Sequence, residues 1–165
     1  MPLQFNSIIA ESEINVANGY TCESRNLFDV FVLRLFRRSD FDMLFSMTPR
    51  NDIVGLDPVR NSYYEFWHKR TGHTFWIKCD FGRKYDEKTN WFPPYLFNNA
   101  KQFQEDVWPE EVFMVLGFGT QPLKPSLMLC VPLNELQNIC ECPNNLEKYR
   151  RSPAQPFAYQ EGHLI

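Results

Sequence analysis

No stretch of this chain approaches the roughly 18 to 20 consecutive apolar residues that a membrane-crossing helix needs, and its first residues lack the basic and apolar regions of a secretory signal. The sequence therefore reads as soluble and cytoplasmic, with no membrane partner. Charge of a single sign is equally scarce. The formal net charge is −3, which gives no global pull toward nucleic acid, so phosphate contacts would have to come from local groups such as Arg34, Arg37 and Arg38, or Arg83 and Lys84. The five cysteines (Cys22, Cys79, Cys130, Cys140, Cys142) are odd in number and irregularly placed, which argues against a secreted disulfide framework and predicts reduced thiols. Cys140 and Cys142 make half of a zinc-type pattern, but a second closely spaced ligand pair is missing and His163 is the only histidine nearby. No metal is expected there. Internal repeats and low-complexity tracts are absent as well.

What is present is length and apolar mass for one domain. A chain of 165 residues, 44% hydrophobic, builds a real core but is short for two domains. We read residues 1–24 as a lead-in segment with a turn at Asn18-Gly19, and residues 25–165 as the domain. Asn26 is suited to cap a helix from Leu27 to Arg38, and Phe41 to Met47 reads as a first strand. A polar loop from Thr48 to Asn61 follows. Tyr63 to His68 and Thr74 to Phe81 form a hairpin, with Gly72 free to take a positive φ. A helix from Tyr95 to Asp106 leads to an apolar strand, Val112 to Gly117, and a neighbouring one, Ser126 to Pro132. Leu133 to Ile139 is a short helix or turn, and Pro156 to Tyr159 packs back as an edge segment.

The most informative stretch is the second hairpin strand. Alternation puts Trp76, Lys78 and Asp80 on one side and Phe75, Ile77 and Cys79 on the other, so a lysine and a carboxylate project together from an otherwise apolar strand. With the turn near Arg70 and Thr71, partners across the hairpin have residue numbers summing to about 141, which sets Tyr63 opposite Lys78 and Glu65 opposite Trp76. Acid-x-lysine on such a strand would be a phosphodiesterase signature. Here the order is lysine-x-acid.

The order helix, strand, hairpin, helix, strand, strand resembles the PD-(D/E)xK nuclease superfamily, the restriction-endonuclease-like fold. In particular it is similar to a family of small bacterial domains of that fold. The segments that carry the resemblance are Phe28-Asp29, Ser62-Tyr-Tyr-Glu-Phe66, Phe75-Trp-Ile-Lys-Cys-Asp80, Val112-Phe-Met-Val-Leu-Gly-Phe-Gly-Thr-Gln-Pro122 and Val131-Pro-Leu133. The resemblance implies an α/β (α+β) domain with a mixed central sheet flanked by helices. It also implies where a site would be. The family's motif aspartate falls on Tyr63, its glutamate on Lys78 and its lysine on Asp80, while the Gln and Tyr of its later helix fall on Leu96 and Ala100. Asp29 is the counterpart of the first-helix acid.

A nuclease of this kind needs two carboxylates from neighbouring strands to hold Mg²⁺, which polarises the phosphate and activates water. A phenol facing an ammonium does not meet that need. The expectation is a degenerate site of Asp29, Tyr63, Lys78 and Asp80, without a metal, in which the Lys78 ammonium replaces the cation and pairs with Asp80 and Asp29. The function expected is a binding module for DNA or for a protein, with Arg83 and Lys84 as the nucleic-acid contacts. The alternative is an active Mg²⁺-dependent DNA endonuclease using Asp29, Glu65, Asp80 and Lys84 as substitutes. A third reading is a structural subunit pairing through the hairpin or the last strand. Each residue also has a plainer role: Lys78 and Asp80 as a same-face ion pair, Asp29 as a capping or solvated acid, Tyr63, Tyr64, Trp67 and Trp76 as packing, Arg83 and Lys84 as solvated surface. Oligomeric state is not written in the sequence.

Overall fold

The computed structural model describes residues 24–47, 62–82, 94–136 and 147–165. The expected lead-in apart from Ser24, the loop from Thr48 to Asn61, Arg83 and Lys84, and Cys22, Cys140 and Cys142 lie outside these residues. Helix α1 spans Ser24–Arg34 and is followed by β1, Phe41–Met47, β2, Tyr63–His68, and β3, Thr74–Gly82. Helix α2, Pro94–Val107, leads into β4, Glu111–Phe118, and β5, Leu127–Pro132. Three two-residue strands close the chain: β6, Arg150–Arg151, β7, Tyr159–Gln160, and β8, His163–Leu164.

Six strands form one mixed sheet in the order β1-β2-β3-β4-β5-β6. Neighbours run antiparallel except β3 and β4, which are parallel and joined through α2, as a parallel pair requires a crossover. That central position explains the sequence of β4: with strands on both sides and cover on both faces, Val112 through Leu116 are all buried, and the strand reads as a continuous apolar run. The fold is thus the expected α/β class, a mixed sheet flanked by helices.

Strand alternation sorts the core into two layers. On one face Phe66, Phe75, Ile77, Cys79, Phe113, Val115 and Cys130 pack against Phe28, Val32, Leu33 and Phe36 of α1 and its C-terminal turn, with Phe157 and Leu164 from the tail. On the other face Tyr63, Trp76, Met114, Leu116, Leu129 and Val131 pack against Ala100 and Phe103 of α2, with Leu133 and Leu136. Phe36 organises the first layer, its ring stacked between Phe66 at 4.1 Å and Phe157 at 4.4 Å. Gly117 lets α1 approach β4 closely, since a Cβ there would lie 2.3 Å from Phe28.

Several expectations need correction. The first helix begins at Ser24, so Asn26 lies within its first turn and is not the cap. It ends at Arg34, because Leu35 and Phe36 close tighter turns, donating to the carbonyls of Val32 and Leu33, that turn Phe36 into the aromatic stack. The tail packs back through Phe157, whose amide donates to Leu35, but Tyr159 joins a separate two-stranded sheet and not the edge of the large one. β6 holds that edge beside β5, and β1 covers the hairpin. The hairpin strand β2 is therefore not an open edge, whereas β6 covers only Met128 and Leu129 of the proline-ended last strand.

Candidate functional site

The hairpin register is as the sequence predicts: Tyr64 pairs with Ile77, Glu65 with Trp76 and Phe66 with Phe75, and its turn uses Gly72 at a φ of 73°. One step further along, Tyr63 faces Lys78. Both are buried, at 0% and 1% exposure, and the Lys78 ammonium lies 4.8 Å from the centre of the Tyr63 ring, where a cation meets the negative face of the aromatic system. Tyr63 is held in turn from α2. Its ring stacks on Phe103 at 3.8 Å and its hydroxyl donates to the Asn99 side chain. With that phenol enclosed, burial raises its pKa, so it stays neutral.

Asp29 arrives from the other layer. It is buried on α1 and accepts a 2.7 Å hydrogen bond from the Tyr64 hydroxyl. Its carboxyl is raised to about 7 as the net result of burial, which pushes it up, the Tyr64 hydrogen bond and the Lys78 ammonium, which pull it down, and the Asp80 carboxylate, which adds to the rise. Burial is the largest of these effects, and the same burial together with Asp29 holds the Tyr64 hydroxyl well above its ordinary value. The buried thiol of Cys79 is raised for the same reason, with Asp29 adding to burial.

Sheet topology explains how charges on the two layers come within reach of one another. The pairing of β2 with β3 ends at Tyr64 and Ile77, whereas β3 stays paired with β4 as far as Gly82 and Phe118. Beyond that point the Tyr63 ring, and no described backbone pairing, lies on the β2 side of β3. Lys78 and Asp80 both lie past it. The structure thus brings Tyr63 against Lys78 and Tyr64 against Asp29, and it sets the Lys78 and Asp80 charges near enough to bear on Asp29.

These residues do not fit a divalent cation. An ammonium about 4 Å from a dication would repel it by about 8 kcal/mol at an effective dielectric of roughly 20, and Tyr63 supplies a neutral phenol where a second carboxylate is needed. Glu65 cannot replace it. It pairs with Trp76, four residues from Asp80 along β3, a separation of roughly 13 Å. Among the described residues no three His, Cys, Asp or Glu side chains gather into a metal-binding group.

Glu65 has instead a partner that sequence reasoning missed. Its carboxyl is pushed up to about 7 by partial burial, by a hydrogen bond with Glu110 and by the charge of that residue. One Glu110 carboxylate oxygen is buried without a hydrogen-bond partner. The two residues lie 45 positions apart and come together only because β3 and β4 are parallel neighbours; no local signal marks them. Of the plainer readings, Trp76 and Tyr63 are core residues as well as neighbours of Lys78, and Trp67 is exposed at the hairpin. Asp29 is neither a solvated nor a capping acid. His68 shares a 2.8 Å hydrogen bond with Thr71, and burial lowers its pKa.

No protein-family model, no curated protein and no solved structure matches this chain.

Proposed function

We propose that this chain is a restriction-endonuclease-like domain whose metal position is taken over by a lysine, and that it works as an interaction module for nucleic acid or protein. One observation carries the reading. Lys78 is buried in the central strand with its ammonium over the Tyr63 ring, at the two positions where the resemblance calls for carboxylates. The helix-strand-hairpin-helix-strand order, with β3 and β4 parallel, agrees with the fold that the resemblance implies. Asp29, half-neutral near pH 7, also makes a poor ligand for a hard divalent ion, which prefers full carboxylate charge.

Burying a lysine is costly unless its charge is compensated. Asp80, the Tyr63 ring and, once it ionises near pH 7, Asp29 supply that compensation, so the cation here stabilises a fold where a metal would serve a reaction. The test is calorimetric titration with Mg²⁺ and Mn²⁺ beside a plasmid-cleavage assay in both ions. The expected result is no saturable metal binding and no cleavage. Cleavage that disappears in Asp80→Asn would overturn the proposal in favour of an active Mg²⁺-dependent DNA endonuclease.

A further inference from the structure

We infer that the surface carrying Trp67 and Trp108, at the end of the sheet where α2 hands over to β4, docks an arginine-bearing segment of a partner protein. Trp108 is 75% exposed and Trp67 36%. An indole left so far in water has most of its apolar area still to bury, and tryptophan is the side chain that most often anchors a protein interface once a partner covers it. Two of them flank one acidic site.

Strand alternation and register set this arrangement. Phe66 and Phe75 face the α1 layer, so Glu65 and Trp67 of β2, with Trp76 of β3 opposite Glu65, face the α2 side. Glu110 immediately precedes β4, and its carboxyl meets that of Glu65. Trp108 is fixed beside it, because its amide donates to the Glu105 carbonyl and the Glu110 amide donates to the Val107 carbonyl. Trp67 lies two residues from one member of the acid pair and Trp108 two residues from the other.

Charge selects the occupant. From Gln102 to Leu123 the sequence holds four acids and no Lys, Arg or His. Two of the acids, Glu105 and Asp106, are exposed in the last turn of α2, which carries no basic residue, so they add to the negative end of the helix instead of offsetting it. Among the described residues none of Glu65, Glu105, Asp106 and Glu110 takes part in an ion pair, and one Glu110 oxygen is buried without a hydrogen-bond donor. An incoming cation relieves each of these. Phosphate backbones are repelled by the same charges, which disfavours nucleic acid here. Guanidinium fits better than ammonium, since its plane stacks on an indole while its fork donates to carboxylates.

This names a partner class for the interaction module proposed above and rests on that reading. The surface shares no residue with the cluster of Asp29, Tyr63, Lys78 and Asp80, so a metal titration and a peptide titration can fail separately. The test is calorimetric titration of the full chain, at about 0.15 M ionic strength, with a capped tetra-arginine peptide, its tetra-citrulline counterpart and a single-stranded DNA oligonucleotide. The arginine peptide is expected to bind saturably and about tenfold more tightly than the neutral one, and the DNA not to compete with it. Trp108→Ala, which removes an exposed ring and leaves the net charge unchanged, should weaken binding about tenfold. Glu105→Gln with Asp106→Asn should weaken it as well, whereas Glu147→Gln, an exposed acid elsewhere, should not. Absence of saturable binding, equal affinity for the citrulline peptide, binding unchanged in Trp108→Ala, equal weakening by Glu147→Gln, or displacement of the peptide by DNA would overturn the assignment.

Discussion

Replacing Asp29 by asparagine should flatten the dependence of stability on pH, by an amount that the structure sets. The carboxyl is moved from 3.8 to about 7, chiefly by burial, and at about 1.4 kcal/mol per pH unit this corresponds to about 4 kcal/mol. The sign follows from proton linkage. Between those two values the unfolded chain releases a proton that the fold retains, so stability from the neutral carboxyl is complete below about 3.8 and is gone once pH has risen through about 7. An amide cannot ionise, yet its oxygen can still accept from the Tyr64 hydroxyl that now bonds Asp29. Urea unfolding of both proteins, followed by tryptophan fluorescence at several pH values from weakly acidic to weakly basic, gives the difference free of other titrating groups. Asp29→Asn should gain on the parent by about 3 kcal/mol as pH rises from about 5 to about 7, with no further gain on the alkaline side. A difference that stays constant with pH would refute the reasoning, for it would mean that Asp29 is ionised throughout and that the Lys78 ammonium outweighs burial.

Three further outcomes follow from the same geometry. Lys78→Glu should lose about 3–5 kcal/mol, because it exchanges the compensating cation for an anion near Asp29 and Asp80, and millimolar Mn²⁺ should recover part of the loss; a thermal midpoint indifferent to Mn²⁺ would count against the view that the ammonium occupies a cation position. Gly117→Ala should cost about 1–3 kcal/mol by overpacking, since the new methyl would meet the Phe28 ring at 2.3 Å, and a midpoint equal to the parent's would show that α1 can give way. Glu65→Gln should be more stable than the parent above pH 7 and should lose that advantage as pH falls toward 4.5, because the Glu65 carboxyl of the parent is raised to about 7 by partial burial and by Glu110; denaturant melts at the two pH extremes check it.

The chain's own order of residues determined much of this protein. Period-two alternation through Phe75, Trp76, Ile77 and Lys78 announced a strand covered on both faces, and Gly72 between two β-prone runs fixed the hairpin and hence the register that sets Tyr63 against Lys78. Those are local signals, read within about 20 residues, and backbone sterics and side-chain period suffice to decode them. Helix ends were less legible: α1 stops at Arg34 because Phe36 is claimed by Phe66 and Phe157, and Phe157 is more than a hundred residues away. What only the folded chain decided were the meetings across the sheet. Asp29 found Tyr64 across one layer, and Glu65 found Glu110. Burial and charge proximity are properties of the packed state. No spacing in the sequence encodes them, because the strands that create them are brought together by the shared hydrophobic core and not by their order along the chain.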